Sequence, residues 1–273
     1  MEQLPHCETL LLEKHGPALF LTINRPDVRN AMSLQMVAEL STIFNQIEQD
    51  NTIRAVVIRG KDGHFCAGGD IKDMAGARGQ KADEGQHDPF YKLNRAFGHM
   101  IQQVNESSKV VIAVTEGAVM GGGFGLACVS DVAIAGPTAR FGMPETSLGV
   151  IPAQIAPFVV ERIGLTQARR LALLGLRIDA REACALGIVH QAADSETQLE
   201  ELLQATLERV RLCAPNATAE TKALLHRVGH EPMNKLLDSA AETFAEAIRG
   251  PEGAEGTMAF MQKREPKWAD DSN

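Results

Sequence analysis

The sequence predicts an α/β protein with a helical C-terminal region, and three observations carry this prediction. Short apolar runs of the kind found in buried strands alternate with segments of helical period up to about residue 155. Beyond that point the helical period dominates. The chain has 273 residues and a hydrophobic fraction of 44%, so it is long enough to bury a large core without disulfides or metals. We therefore expect a core domain over residues 1–194 and a helical region over residues 195–273.

The first predicted elements are two strands, a helix and a third strand. ETLLLEKHGPALFLTINRP (8–26) is typical of two strands joined by a turn at His15–Gly16–Pro17. A helix is predicted after Ser33, which fits an N-cap, because apolar residues then recur at helical spacing. IRAVVIRG (53–60) predicts a short buried strand, and the glycine-rich loop HFCAGGD (64–70) follows it directly.

The middle of the chain continues this alternation. Residues 75–90 are polar, contain glycine and show no period, which predicts a mobile loop that covers a site or sets its specificity. A helix is expected over about 89–105, and the strand KVVIAVTEG (109–117) follows it. DVAIAG (131–136) predicts a further strand, whereas ARFGMPETSLGVIP (139–152) is expected to run through turns.

The C-terminal region begins with a strong helix signal. Ser195 and Gln198 form a capping-box pattern. The apolar face of the helix that follows consists of Leu199, Leu202, Leu203, Leu207 and Val210. Two more helices are predicted over about 217–227 and 231–249.

Charge and cysteine usage narrow the functional classes. The net charge is −8 with acids and bases interleaved, which disfavours nucleic-acid binding because that requires a basic face. No apolar run approaches the ~18 residues that span a bilayer, so we expect no membrane span. Five dispersed cysteines without a CxxC pair are typical of a cytoplasmic protein with reduced thiols. HRVGH (226–230) lacks the glutamate of an HExxH site, and we expect no metal.

Two glycine-rich loops, CAGGD (66–70) and MGGGFG (120–125), each follow an apolar strand. A loop that enters a helix presents unpaired N–H groups, and glycine lets a ligand approach them closely. Such a pair of loops is consistent with two convergent donors for an oxyanion, or with tight backbone packing, and the residues alone leave both open. The sequence contains no dinucleotide fingerprint, P-loop or GxSxG nucleophile motif.

Five segments resemble the crotonase superfamily in their order and spacing. They are NRPDVRNAMS (24–33), HFCAGGDIKDM (64–74), EGAVMGGGFGLACVSDVAIA (116–135), FGMPETSLGVIP (141–152) and AFMQKREPKW (259–268). The similarity covers about residues 8–270. It implies a spiral of ββα repeats with a C-terminal helical region that mediates assembly as a homotrimer or a dimer of trimers. It also implies a coenzyme A thioester as the substrate, so no separate cofactor is expected.

The resemblance assigns roles to individual residues. The backbone N–H groups of Gly69 and Gly122 would hold the thioester oxygen and stabilise an enolate, where one donor is typically worth about 2.7–4 kcal/mol. Arg29 is the phosphate partner, since a guanidinium matches phosphate geometry. The residues that the resemblance places along the coenzyme are Val28, Arg29, Ala67, Asp70, Ile71, Phe260 and Lys263.

The number of carboxylates at the acyl chain decides which reactions are possible. Hydratases of this superfamily usually carry two glutamates that face the C2–C3 bond of the acyl chain. The second matches Glu145, which we expect to be partly desolvated with a raised pKa. The first would occupy position 125, where this chain has Gly125. One carboxylate leaves a hydratase, a Δ3–Δ2 enoyl-CoA isomerase and a thioester hydrolase open, and a catalytically silent acyl-CoA- or RNA-binding homologue is the rival of another class.

A finer resemblance makes hydration the first choice and isomerisation the second. The run FGMPETSLGVIPAQIAPFVVERIG (141–164) departs from the usual IPGGGGTQRL form, because Ala153, Gln154, Ile155 and Ala156 replace its glycines. It is most similar to the branch that contains methylglutaconyl-CoA and isohexenylglutaconyl-CoA hydratases, of leucine and acyclic-terpene degradation. Such substrates bear a second carboxylate, so a cation is expected at the acyl pocket, and Arg78 or Lys81 are the candidates.

Overall fold

The structure, a computed structural model, describes residues 4–78 and 87–270. Its strands are β1 (Leu10–His15), β2 (Ala18–Ile23), β3 (Ala55–Gly60), β4 (Val110–Thr115), β5 (Ala118–Met120), β6 (Val132–Ala135), β7 (Arg140–Gly142), β8 (Arg177–Asp179) and β9 (Gln191–Ala192). Its helices are α1 (Leu34–Glu48), α2 (Ile71–Arg78), α3 (Pro89–Glu106), α4 (Gly122–Val129), α5 (Ala156–Leu174), α6 (Ala180–Ala185), α7 (Glu196–Leu212), α8 (Pro215–Arg227), α9 (Met233–Arg249) and α10 (Pro251–Gln262). The alternation of strands and helices confirms the predicted α/β class.

The larger sheet has the strand order β1-β2-β3-β4-β6-β9. β1 and β2 are antiparallel and joined by a turn in which Gly16 has a φ of 54°, a conformation that favours glycine. The other neighbouring pairs in this sheet are parallel. Because parallel neighbours need crossover connections, the chain leaves the sheet after each strand and returns through a helix.

The smaller sheet turns these crossovers into a spiral. It consists of β5, β7 and β8, and single bridges at Cys66–Val119 and Met32–Gly69 extend it. Successive turns of the chain therefore pass from the large sheet to this short layer and then to a helix, as in β4, β5 and α4. The predicted spiral of ββα repeats is confirmed.

The large sheet buries both of its faces, as side-chain alternation along a strand allows. One face, with Leu21, Val56 and Ile58, belongs to the main core cluster with residues of α1, α3, α4 and α5. The other face, with Val57 and Ile112 among others, packs against Leu199 and Leu203 of α7. α7 therefore covers the side of the sheet opposite the site described below.

Most of the longer elements follow the sequence predictions. The hairpin, β3, β4, β6 and the helices α1, α3, α7, α8 and α9 are confirmed within a few residues. Ser33 caps α1, since its Oγ accepts a hydrogen bond from the Met36 amide at 3.2 Å. The capping box of α7 is shifted: Ser195 Oγ accepts from the Gln198 amide at 3.2 Å, but Gln198 Oε1 accepts from the Asp194 amide.

The loop prediction over residues 75–90 is wrong at both ends. Residues up to Arg78 belong to α2, whose first turn is stabilised by Asp70 because its Oδ1 accepts from the Lys72 amide at 2.9 Å. α3 starts at Pro89. The run over 139–152 is also not turns alone, since it contains β7 and a 3₁₀ helix, Glu145–Leu148. Residues 79–86, including Lys81, lie outside the described residues, so a covering loop stays a prediction.

Several side chains link the helical C-terminal region to the sheet, and Arg54 is one of them. Arg54 precedes β3, and its guanidinium donates to the Trp268 carbonyl at 2.7 Å and to the Val210 carbonyl, at the end of α7, at 2.9 Å. The boundary between residues 194 and 195 stays a prediction. Within the described ranges, no helix combines the length and apolar character that crossing a bilayer requires.

Candidate active site

The two glycine-rich loops lie side by side in the short layer. The Cys66 amide donates to the Ala118 carbonyl at 2.8 Å, and the Met120 amide donates to the Cys66 carbonyl at 2.9 Å. On its other side the 66–70 loop pairs with Met32, which donates to the Gly68 carbonyl and accepts from the Asp70 amide. The loops that the sequence placed fifty residues apart thus form one surface.

Each loop presents an N–H group that no other backbone group takes up. Because Gly68 and Asp70 both bond to Met32, strand alternation turns the N–H of Gly69 to the opposite side, where the residue is exposed. Gly122 is the first residue of α4, so its N–H has no partner within the helix. Among the described residues no hydrogen-bond acceptor is found for either group.

Close packing around these donors explains the run of glycines. A Cβ on Gly123 would lie 2.6 Å from Cys66 Cβ, and one on Gly121 would lie 3.0 Å from Glu145 Oε1. Gly121 also has a φ of 50°. Cys66 is fully buried between the loops, and burial raises the pKa of its thiol to about 11, so it packs as a neutral group. Tight packing of these loops is therefore observed, whereas their role as donors to an oxyanion stays a prediction.

Glu145 is the carboxylate at this surface. It follows Pro144 at the start of a 3₁₀ helix and is half-buried, with Oε1 facing Gly121. In the part of the chain that the structure describes, its Oε2 is buried and has no hydrogen-bond partner. Burial raises the pKa of Glu145, in agreement with the expectation from the sequence. A desolvated carboxylate beside two free N–H donors is suited to moving a proton next to a developing oxyanion.

Apolar side chains fill the space at Gly125. A Cβ there would lie 2.4 Å from Ile155 Cγ2 and 2.8 Å from Ile101 Cδ1. Ile155 comes from the segment before α5, and Ile101 comes from α3. The glycine thus makes room for two isoleucines from distant parts of the chain, and a second glutamate would have to displace them.

Asp70 and a neighbouring asparagine anchor the 66–70 loop. Asp70 is buried and pairs with Arg25, with 2.7 Å between Oδ2 and Nη2. Burial alone would raise the pKa of Asp70, but its hydrogen bonds with Arg25 and the Lys72 amide outweigh this effect, so the pKa lies below its usual range. Asn30 is fully buried; it accepts from the Arg25 amide and donates to the carbonyls of Lys61 and His64.

The residues assigned to the coenzyme fall into two groups. Val28 and Arg29 lie in the turn beside Ala67, whose amide donates to the Arg29 carbonyl at 3.1 Å, and the Arg29 side chain is exposed. Ile71 begins α2, and its side chain is not among those described. Phe260 and Lys263 lie exposed on and just after α10, which packs on α9. All these assignments stay predictions.

Sequence reasoning missed the residues of α3 and Arg25. Phe97 reaches the other loop, with Cε2 3.3 Å from where a Cβ on Gly122 would lie. Its spacing of four from Ile101 fits two side chains on neighbouring turns of one face, and this spacing was the available signal. The pairing of Arg25 with Asp70 joins residues 45 positions apart, and no local pattern encodes it.

Comparisons with known proteins identify the family to which the chain belongs. Residues 14–271 match the family model described as enoyl-CoA hydratase/isomerase. The crystal structure of an enoyl-CoA hydratase/isomerase from Marinobacter aquaeolei is 84% identical, with a TM-score of 0.95 over 97% of this chain and 100% of that one. AtuE from Pseudomonas aeruginosa is 57% identical, with a TM-score of 0.92 over 96% and 100% of the two chains.

Curated relatives are similar over the whole chain as well. A probable enoyl-CoA hydratase from Bacillus subtilis is 30% identical over 254 residues, which cover 91% of this chain and 93% of the relative. The family match and these relatives confirm the predicted superfamily. The chain belongs to the enoyl-CoA hydratase/isomerase family, the crotonase superfamily, as an enzyme of the hydratase (lyase) type.

Proposed function

We propose that this enzyme adds water across the C2–C3 double bond of a branched glutaconyl-CoA, either isohexenylglutaconyl-CoA or methylglutaconyl-CoA, in terpene or leucine catabolism. The observation that carries the reaction is the half-buried Glu145, whose buried Oε2 has no hydrogen-bond partner among the described residues, beside the Gly69 and Gly122 N–H groups, which have no acceptor there either. The observation that favours the branched acyl group is the resemblance of residues 141–164 to the branched glutaconyl-CoA branch. Coenzyme A is then part of the substrate, and no further cofactor takes part.

The two N–H donors polarise the thioester. Both donate to the carbonyl oxygen, and their hydrogen bonds strengthen as that oxygen gains negative charge in the enolate. Attack of water at C3 becomes feasible because the electron pair of the double bond moves towards this oxygen. Since the donors are backbone groups, their geometry is fixed before the substrate binds.

Glu145 accounts for both proton movements. The ionised carboxylate removes a proton from water as the oxygen bonds to C3, and the carboxylic acid so formed returns that proton to C2 when the enolate collapses. The sum is the addition of one water, and no second acid is needed. The apolar contacts of Ile101 and Ile155 at Gly125 fit this single-carboxylate scheme.

A Δ3–Δ2 enoyl-CoA isomerase is the second candidate, and the apolar surroundings of Gly125 favour it. Isomerisation moves one proton between C4 and C2, so one carboxylate suffices. A catalytically silent homologue is disfavoured, because Glu145 and both N–H donors are in place.

Ultraviolet absorbance of the conjugated thioester separates these candidates. We expect it to decrease when the enzyme is added to 3-methylglutaconyl-CoA, because hydration removes the conjugated double bond. An increase with a 3-enoyl-CoA, without a decrease for any 2-enoyl-CoA, would make the enzyme an isomerase. No change with any of these thioesters would overturn both assignments.

Assembly as a homotrimer or a dimer of trimers belongs to the same proposal. Apolar side chains on α9 and α10 are exposed in the single chain, among them Leu237 at 59% and Phe244 at 69%. Burying such a surface in an assembly would remove it from water. A cytoplasmic location is proposed as well and is supported by the five free cysteines.

A further inference from the structure

A cation on α3 lies near the side chains that surround Gly125. Arg95 of α3 is half-buried, and its Nη1 lies over Gly98, 2.6 Å from the position of a Cβ there. Ile101, which contacts the space at Gly125, follows Gly98 by three residues on the same helix. A helix rises ~1.5 Å per residue, so Gly98, beside the guanidinium, lies about one turn, ~5 Å, along α3 from Ile101. A short acyl chain spans such a distance.

The charge of Arg95 has no counter-ion within residues 4–78 and 87–270, where no carboxylate oxygen lies within 4.0 Å of it. Its hydrogen bond there is a long one, 3.4 Å from Nη1 to Gln154 Oε1. A guanidinium has five N–H donors, so most of them remain for a ligand. A partly desolvated cation without an anion carries a desolvation cost that an anionic ligand would offset.

Two amide side chains hold this cation in place. Gln154 Nε2 donates to Asn94 Oδ1 at 2.8 Å, which orients Gln154 Oε1 towards the guanidinium. The cluster fits because position 98 is glycine: a Cβ there would lie 1.9 Å from Gln154 Oε1. Gln154 directly precedes Ile155, the side chain that fills the space at Gly125. The amide–arginine cluster and the apolar wall at Gly125, formed by Ile101 and Ile155, are therefore built by the same two segments.

We propose that Arg95 binds the terminal carboxylate of a dicarboxylic acyl-CoA and that Gln154, held by Asn94, positions its guanidinium. The inference rests on the proposed function and names the residue that recognises that substrate class. A guanidinium binds a carboxylate through two parallel hydrogen bonds, which fixes the direction of the acyl chain. Arg95 takes the role that the sequence assigned to Arg78 or Lys81.

Binding of unreactive acyl-CoA thioesters tests this role apart from catalysis. Dissociation constants of glutaryl-CoA and butyryl-CoA, which differ in the terminal carboxylate, are to be measured by calorimetry. We expect the wild-type enzyme to bind glutaryl-CoA about 10- to 100-fold more tightly, as a charge-assisted hydrogen-bonded pair implies.

Three variants assign that preference to Arg95. Arg95→Met should remove it while leaving butyryl-CoA binding within about twofold of wild type, since the coenzyme contacts are unchanged. Gln154→Glu, which is nearly isosteric and places a carboxylate on Arg95, should remove it as well. Lys92→Met, which deletes an exposed cation three residues earlier on α3, should retain it.

The outcomes distinguish this inference from the proposed function. Equal binding of both thioesters by the wild type, or a parallel loss of both in Arg95→Met, would overturn the role of Arg95. A preference that Arg95→Met removes, without turnover of 3-methylglutaconyl-CoA, supports the role of Arg95 and contradicts the proposed substrate. If the wild type turns over 3-methylglutaconyl-CoA but binds glutaryl-CoA no more tightly than butyryl-CoA, the proposed function is supported and the role of Arg95 is contradicted.

Discussion

At the scale of single residues, the proposed chemistry depends on Glu145, which matches the ordinary pattern of the superfamily, and on Gly125, which departs from it. Glu145 is identified from the sequence by its motif, and the structure adds the desolvation of its Oε2. The absence of a side chain at Gly125 is also evident from the sequence. The sequence does not show which side chains occupy that space, because Ile101 and Ile155 belong to segments that only the folded chain brings together.

Glu145→Gln should reduce kcat by about 10²- to 10⁴-fold, since it removes the group that exchanges the proton. Coenzyme A thioesters should bind almost as before, because the proposed donors to the thioester oxygen, at Gly69 and Gly122, are backbone groups. Turnover by the absorbance assay and binding by calorimetry measure the two effects. A variant that keeps full activity would show that another group is the base.

The pH profile should reveal the raised pKa of Glu145. Hydration needs the ionised carboxylate, so kcat/KM should fall on the acidic side, with a midpoint above the ~4.3 of an ordinary glutamate. A midpoint at or below that value would contradict the desolvated environment.

The raised pKa of Glu145 also lowers the free energy of unfolding at neutral pH. The folded state holds the proton of Glu145 more tightly than the unfolded state, so this group destabilises the fold as pH rises through its raised pKa. Glu145→Gln should therefore unfold at a higher temperature than the wild type at neutral pH, and the difference should shrink near pH ~4.

Gly125→Glu should destabilise the protein by about 1–3 kcal/mol, because its side chain overlaps Ile155. Combining it with Ile155→Ala should recover part of that loss by making room. Denaturant unfolding measures the stability, and hydration of crotonyl-CoA shows whether the second acid takes part. If Gly125→Glu is as stable as the wild type, Ile101 and Ile155 can move aside at little cost in free energy.

At the scale of elements, the sequence predicts the long periodic segments and misses the short layer between them. α1 and the hairpin carry enough residues for a period or a turn signal to be recognised. β5, β7 and β8 have three residues each, too few for alternation to show, and their pairing is settled by contacts between turns of the spiral. The site lies in this layer, so its loops were located from motifs rather than from periodicity.

Asn30 joins the first turn of the spiral to the second, so its replacement should lower both the stability of the fold and the catalytic activity. Asn30→Ala leaves three backbone groups without their partner, which should cost about 1–3 kcal/mol of unfolding free energy. We also expect kcat/KM to fall, because the 66–70 loop carries Gly69. Asn51→Ala, at an exposed position, is the control and should change neither quantity.

At the scale of the whole molecule, the spiral brings the site together and the C-terminal helices leave an apolar surface uncovered. Met233, Leu237, Phe244 and Ile248 recur along α9 at spacings of four and seven, which places them on one face. The sequence predicted this helix, but its exposed side could be recognised only once its packing on α8 and α10 was known.

Replacing Leu237 and Phe244 together by glutamate should convert the assembly to smaller species, because charges would then occupy the proposed contact. Sedimentation velocity measures the change, and circular dichroism checks that the fold is kept. Replacing Leu225, exposed on α8 at 65%, is the matched control. An unchanged sedimentation coefficient in the double variant would place the interface elsewhere.

The proposed donors at Gly69 and Gly122 are backbone groups, whereas the other proposed functional groups are side chains, and this difference affects how the site can change. A peptide N–H has no pKa in the range of enzyme assays and survives every side-chain replacement except one by proline. If Gly69 and Gly122 bind the thioester oxygen as proposed, that contact is inherited with the backbone, whereas Glu145, the isoleucines at Gly125 and Arg95 can each be exchanged separately. A chain of this design can acquire a new reaction on an acyl-CoA by a few side-chain substitutions, while the two backbone N–H groups stay unaltered.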